Sequence, residues 1–308
     1  SYLLYAMMIA GFLGIMVARP TFQMPAFMGW SAMNHKGNVA HLFPILYVTV
    51  ACGACSGFHA LVSSGTTAKQ LDSERHMGAI GYGGMLVEGG LALMALISVA
   101  VLTRDNYMTA LGESSPVVLF ANGLASFTTR IGLKPEVGMT FFALAIAAFL
   151  LTTLDTATRL TRFVWQELFL PREGHGVESK SPAGNLLGNP FVATAIVILL
   201  SGYLAFSGNA REIWPVFGAS NQLLAALTLL IVTLYLVRKK VNFWVALLPM
   251  IFMSTITGWA LVQLLQSNWG ENRVLVCATA FLLLMAVALA VMAVWSLKQV
   301  SKRNAANG

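Results

Sequence analysis

Eight apolar runs of roughly 17 to 25 residues follow one another along this chain. A helix needs about that length to cross a bilayer, where every backbone hydrogen bond must be made internally. The chain is 57% hydrophobic and 10% charged, whereas soluble domains carry roughly 25% charged residues. The sequence therefore predicts an all-α polytopic membrane bundle of about eight transmembrane helices, at 2–18, 42–61, 79–102, 137–157, 190–206, 214–236, 244–265 and 274–297.

The basic residues predict how these helices are oriented. With both termini inside, twelve Lys and Arg residues fall on the cytoplasmic side and seven on the outer side. Cytoplasmic loops carry the excess of basic residues, so we expect a cytoplasmic C-terminus, marked by Arg238, Lys239 and Lys240. The net charge of +7 then reflects topology, and no nucleic-acid partner is expected.

The run at 42–61 differs from the others in its second half. Its side chains shrink to C-G-A-C-S-G at 52–57, and S-S-G-T-T follows at 63–67. Gly costs about 1 kcal/mol in a helix interior relative to Ala. Non-helical backbone at membrane depth is tolerated where protein buries it or where it lines a wet cavity. Residues 53–57 are therefore predicted to break the helix, as at transporter sites, although close helix packing through small residues explains the same composition.

Cys52 and Cys55 form a C-x-x-C pattern inside this run. Two ligands one turn apart are too few for a zinc site. We interpret both as small packing residues, and the sequence predicts no metal and no cofactor.

Five segments, in order along the chain, carry a resemblance to a known family. The segment ACGACSGFHALVSSGTTAKQL at 51–71 is joined by MVARPTFQMP, IGYGGML, LTTLDTATRLTRFVWQ and IWPVFGASNQLLAA. The chain resembles the carbon-starvation (CstA) family of membrane permeases over nearly its whole length. Members of that family carry several more helices before this point. The resemblance implies the C-terminal part of a longer protein, whose missing N-terminal helices are expected partners.

The resemblance also implies a LeuT-like architecture with two inverted repeats. In that scheme residues 1–308 form one membrane domain. Residues 1–236 hold helix five, at Tyr2–Ala18, and the second repeat, with 42–61 as the broken sixth helix. Residues 237–308 supply two peripheral helices.

The break and a pair of amides supply the candidate substrate contacts. Backbone N–H groups at the start of a half-helix offer a route for an anionic carboxylate. Amides inside membranes also act as structural glue between helices, and that alternative stays open for Asn221 and Gln222. The predicted contacts are Ser56, Gly57, Phe58, His59, Asn221 and Gln222.

Two titratable residues are candidates for proton coupling. His59 follows the break, and its intrinsic pKa lies near physiological pH. Glu88 is an acid in the middle of a span, where carboxylates are costly and mark functional sites. Gly81, Gly84 and Glu88 share one helical face, so Glu88 is predicted to point along a small-residue stripe into the bundle. For each residue a structural hydrogen bond is the alternative.

A sodium site is the other coupling hypothesis. The resemblance implies that hydroxyls in the inner half of the 137–157 span face the ion, which makes Thr152, Thr153 and Asp155 candidates. Asp155 and Arg159 lie four residues apart, so a helical ion pair is the alternative.

Two connections are too long for simple turns. The 103–136 connection contains VVLFANGLASF after Ser115 and Pro116, which predicts a helix that is interfacial, a lid or simply packed. The 158–189 connection predicts a basic helical extension followed by a cytoplasmic loop.

These observations predict a secondary active transporter in the inner or plasma membrane and no enzyme, since no catalytic group of residues converges. The resemblance implies uptake of a small carbon source during starvation, pyruvate or short peptides, coupled to protons or sodium. A membrane scaffold or starvation sensor without transport activity is the competing class.

Overall fold

The structure is a computed structural model that describes residues 2–27, 29–33, 39–51, 53, 55–169, 186–206, 210–270 and 273–306. Helices account for nearly all of these residues. The α-helices of five or more residues are α1 (Tyr2–Ala18), α2 (Tyr47–Ala51), α3 (Gly57–Val62), α4 (Gly83–Ala100), α5 (Arg104–Glu113), α6 (Pro116–Thr128), α7 (Pro135–Phe169), α8 (Pro190–Phe206), α9 (Ala210–Arg238), α10 (Trp244–Asn268) and α11 (Arg273–Ala306). Other short helical segments are Leu42–Leu46, Ser63–Thr67, Ala68–Gln70, Glu74–His76, Gly78–Tyr82 and Thr129–Ile131, and those from Glu74 to Tyr82 lead into α4. Two short strands, β1 (Ser31–Met33) and β2 (Val39–His41), pair antiparallel with Ser31 opposite His41.

Apolar helices confirm a multi-pass membrane protein. Within the described ranges, five helices are long and apolar enough to cross a bilayer: Glu74–Ala100, Pro135–Phe169, Ile213–Arg238, Trp244–Asn268 and Arg273–Ser296. Two other predicted spans, α1 and α8, are apolar helices of 17 residues each. The span predicted at 42–61 is interrupted, so a count of eight stays a prediction.

The 103–136 connection folds into two helices with local start signals. The Ser115 hydroxyl accepts a hydrogen bond from the Val118 N–H at 3.3 Å, and Pro116 occupies the first turn of α6. Both features stabilise a helix N-terminus. Of the three alternatives, which are an interfacial helix, a lid and a packed helix, the packed helix describes α6 best, because Ala121 and Leu124 are fully buried.

The chain forms two compact units, which are Ser1–Met28 with Gln70–Thr194 and Gly29–Lys69 with Ala195–Gly308. In unit 1, helices α1, α4 and α7 pack around α6. The apolar core consists of Met7, Met94, Ala121, Leu124, Ala125, Phe127, Phe142, Ala145 and Ile146. Small residues allow the close approach: a Cβ on Gly123 would lie 2.5 Å from the Ser98 Cβ. Such contacts hold membrane helices together, because lipid is as apolar as a leucine side chain.

Unit 2 is built around α9, which packs against α2, α3, α10 and α11. Two apolar clusters lie between these helices. The Leu230 cluster consists of Ala225, Ala226, Leu230, Met250, Met253, Leu289 and Ala293. The Ala260 cluster consists of Val48, Ala219, Leu223, Ile256, Ala260 and Leu261. Tyr47 packs against both clusters, and its ring meets that of Phe252 edge-on at 5.4 Å.

Candidate functional site

The break predicted inside the 42–61 run is present in unit 2. Helix α2 ends at Ala51 and α3 begins at Gly57. Ser56 has extended backbone angles (φ −102°, ψ 123°), and its hydroxyl accepts a hydrogen bond from the His59 N–H at 3.4 Å. Ser56 is thus an N-cap, a position that serine favours because its side chain satisfies an otherwise unpaired N–H. Cys52 and Ala54 lie outside the described residues.

Asn221 of α9 connects the break to the rest of unit 2. Its side-chain oxygen accepts hydrogen bonds from the Phe58 N–H at 2.8 Å and from the Ser56 hydroxyl at 3.2 Å. Asn221 is buried, with 3% of its surface exposed. Three residues predicted from two distant segments therefore meet. One amide oxygen accepts from a backbone N–H and from a side-chain hydroxyl at the break.

Gly57 explains how the two segments approach so closely. A Cβ at this position would lie 2.2 Å from the Leu224 Cβ, 2.4 Å from the Asn221 carbonyl oxygen and 2.6 Å from the Ala225 nitrogen. No side chain fits there, because two of these atoms belong to the α9 backbone. The sequence marked Gly57 as part of a break but did not reveal Leu224 and Ala225 as its neighbours.

The N–H groups at the start of α3 differ from the sequence-based expectation. They were expected to be open to a substrate carboxylate. In the structure the Phe58 N–H is bonded to Asn221 and the His59 N–H to Ser56. The His59 side chain is exposed, and its ring lies edge-on to Phe58 at 6.1 Å.

Gln222 lies next to Asn221 in sequence but in different surroundings. It is fully buried, and neither atom of its amide finds a hydrogen-bond partner in the part of the chain that the structure describes. Its predicted role as a substrate contact stays a prediction.

Within unit 1, Glu88 does not point into a packed face, so its predicted place inside the bundle of the full-length protein stays a prediction. Gly81, Gly84 and Glu88 are all exposed, and a Cβ added at either glycine would meet no described residue within 4 Å. The buried residues of α4 are Met94 and Ser98, nearer its C-terminal end. Small residues indicated a packed face, but the helices of unit 1 cover a different part of α4.

The candidate sodium ligands lie on an exposed part of α7 in unit 1. The hydroxyls of Thr152 and Thr153 donate to the Phe149 carbonyl at 2.7 and 3.2 Å. Asp155 accepts a hydrogen bond from Arg159 at 2.9 Å, which is the ion pair considered as the alternative. Such exposed helical pairs contribute only about 0.3–0.5 kcal/mol, so the pairing neither requires nor excludes another role for Asp155.

Comparison with known proteins assigns the chain to a family. The family model for "Carbon starvation protein CstA" matches residues 1–112 and 106–260. The chain belongs to the CstA family. It is 32% identical to the peptide transporter CstA of Escherichia coli K12, in an alignment that covers 84% of the chain and 43% of that protein. The corresponding relative from Bacillus subtilis is 31% identical, with 84% and 48% covered.

Another relative of this chain carries a different name. The pyruvate/proton symporter BtsT of Escherichia coli K12 is 29% identical, in an alignment that covers 83% of the chain and 46% of that protein. The chain thus spans less than half the length of these CstA-family relatives. No solved structure matches the chain.

Proposed function

We propose that the protein containing this chain is a secondary active transporter of a small carbon source, pyruvate or a short peptide. The observation that carries the proposal is the helix break held by Asn221. It places interrupted backbone, a serine and a histidine together in unit 2. Broken helices of this kind are where transporters bind substrates. The relatives are named as transporters and not as enzymes, which supports a transport function.

The proposed substrate region consists of Ser56, Gly57, Phe58, His59 and Asn221. The exposed His59 side chain is its proposed polar contact, since the first N–H groups of α3 already have partners. Gln222, the sixth predicted contact, shares none of the hydrogen bonds described between Asn221 and the break, so it stays a separate prediction.

Labelled pyruvate and dipeptide uptake by cells that carry the full-length gene tests this proposal. Asn221→Ala is expected to lower uptake about tenfold, because a buried donor left unpaired costs about 1–3 kcal/mol and 1.4 kcal/mol corresponds to a factor of ten. Asn268→Ala is the matched control, since Asn268 donates to Leu264 within its own helix at 2.8 Å. Absence of uptake of both substrates by the native protein would favour the scaffold or sensor.

We propose that uptake is coupled to protons, which the name of the relative BtsT supports. His59 and Glu88 are the residues proposed to carry the proton. Glu88→Gln keeps the size and the hydrogen-bonding capacity of the side chain but removes its exchangeable proton. We expect gradient-driven uptake by the full-length protein to fall several-fold at equal expression. Unchanged uptake would assign Glu88 to structure and leave His59 as the proposed proton carrier, with sodium at Thr152, Thr153 and Asp155 as the other hypothesis.

The proposed architecture keeps about eight spans, with helix five and a LeuT-like second repeat in 1–236 and two peripheral helices in 237–308. The rest of the full-length protein supplies the first repeat. The proposed location is the inner or plasma membrane, with a cytoplasmic C-terminus. A reporter fused after the last residue should be active inside the cell, because Arg238, Lys239 and Lys240 mark the inner side. Activity on the outer face alone would reverse the topology.

A further inference from the structure

Three buried polar side chains on three neighbouring helices of unit 2 have no role in the proposed transport site. They are Gln222 of α9, Thr257 of α10 and Thr279 of α11, each with at most 1% of its surface exposed. Among the described residues, neither amide atom of Gln222 and neither threonine hydroxyl has a hydrogen-bond partner. Buried polar groups are normally paired, so each of these atoms requires an explanation.

Other buried hydroxyls in this chain behave differently. Thr233, Ser98 and Thr128 are equally buried, and their hydroxyls donate to carbonyls of their own helices at 2.7, 2.8 and 2.9 Å. An intrahelical acceptor is thus the usual solution for a hydroxyl in this chain. Within the described helices, the hydroxyls of Thr257 and Thr279 have no such intrahelical acceptor. Like the Gln222 amide, they therefore need another partner.

The positions of Gln222 and Thr257 indicate a polar layer. On α9, Gln222 lies one turn from Ala219 of the Ala260 cluster and one turn from Ala226 of the Leu230 cluster. On α10, Thr257 lies in the same way between Met253 and Ala260. Residues three and four apart share a helix face. Both side chains therefore fall at the level where one apolar cluster ends and the other begins.

Thr279 lies on the third helix, at the opposite end of the Ala260 cluster from the Leu230 cluster. It lies one turn after Leu275, which packs with Val216 of α9 and Leu264 of α10, and one turn before Leu283, which packs against the Ala260 cluster. Since α9, α10 and α11 all pack against one another, the three polar side chains belong to one three-helix interior.

The chemistry of these groups selects the ligand. An amide offers two donors and an acceptor, and each hydroxyl both donates and accepts. None of the three side chains is charged. A bare cation would satisfy the oxygens and leave the amide N–H groups unpaired, whereas water satisfies donors and acceptors alike. We propose that Gln222 and Thr257, which lie at one level of the core of unit 2, line a small uncharged site that binds water.

X-ray radiolysis of the full-length protein in nanodiscs tests the site without any transport assay. Radicals formed from bound water oxidise adjacent side chains, and Met253 lies one turn from Thr257. Met94 is the matched internal control, since both methionines are 3% exposed and Met94 lies one turn from Ser98, whose hydroxyl is paired. We expect Met253 to be oxidised several-fold faster than Met94, and equal rates would overturn the proposal.

The double variant Gln222→Leu, Thr257→Val distinguishes this water from other sources. The rate at Met253 should fall to that at Met94. A rate that persists would assign the signal to the Tyr47 hydroxyl, which lies 3.6 Å from the Met253 sulfur, and would count against the site. A Met253 rate in the native protein that falls when sodium replaces choline would indicate a cation and would also overturn the proposal.

Thermal stability gives a second measurement that does not depend on labelling. If water pairs the Thr257 hydroxyl, Thr257→Val should lower the midpoint of unfolding, because bound water loses a partner. If the hydroxyl is dry and unpaired, the same change should raise the midpoint, because a buried unpaired group is removed. Thr233→Val, which removes a hydroxyl that is already paired, sets the reference loss. A raised midpoint for Thr257→Val would contradict the proposal.

Discussion

Replacing Gly57 with alanine in the full-length protein is expected to abolish uptake. The added methyl group would lie 2.2 Å from the Leu224 Cβ and 2.4 Å from the Asn221 carbonyl oxygen. Overpacking of this kind typically costs about 1–3 kcal/mol, and more where backbone atoms must move. The start of α3 would separate from α9, and the hydrogen bonds from Ser56 and Phe58 to the Asn221 side chain would lengthen or break.

Gly53 provides a matched control for this variant. It lies in the same break, but among the described residues a Cβ there would meet the Val50 carbonyl oxygen alone, at an ordinary 3.7 Å. Gly53→Ala should therefore leave uptake near the native level. Uptake by both variants is compared at equal membrane expression, together with their midpoints of thermal unfolding. Native uptake by Gly57→Ala would show that the contact between α3 and α9 is not needed for transport.

The comparison of Gly57 with Asn221 shows how much of the site could be predicted. The break followed from composition, since a run of small residues destabilises a helix locally. Asn221 was a candidate because amides are costly in an apolar span. Their contact was not predictable from local pattern, because Phe58 and Asn221 are 163 residues apart. Helical spacing says which residues share a face but not which helix covers that face.

For the fold, too, local features were predictable from the sequence and contacts between helices were not. The predicted span at 137–157 is part of α7, which continues to Phe169. Hydropathy detects where a helix leaves lipid, whereas the helix itself continues through Arg159 and Arg162 because both are good helix formers. The N-terminus of α6 was predictable from Ser115 and Pro116, since capping is a local interaction. The burial of its apolar face depends on α1 and α7, which sequence pattern alone does not place.

Glu88 is the case where the pattern left open which segment covers a helix face. Small residues at helical spacing predict a packed face, and the sequence does not distinguish contact within this chain from contact with another segment. In unit 1 that face is exposed. The relatives are more than twice as long as their aligned portions, so we propose that the rest of the full-length protein covers it.

That proposal leads to the other large expected effect. The 308-residue chain alone should insert into membranes but should not accumulate substrate. Each apolar run is hydrophobic enough to insert. However, the face that carries Gly81, Gly84 and Glu88 would meet lipid, where a charged side chain near the bilayer centre costs about 3 kcal/mol on insertion scales.

Reconstitution of this chain beside the full-length protein, in liposomes under an imposed proton gradient, measures the difference. The full-length protein should accumulate labelled pyruvate or dipeptide, and the chain alone should remain at the level of empty liposomes. This difference is expected because the proposed architecture places the first repeat outside this chain. Equal accumulation by both proteins would show that unit 1 and unit 2 already contain a complete transport site.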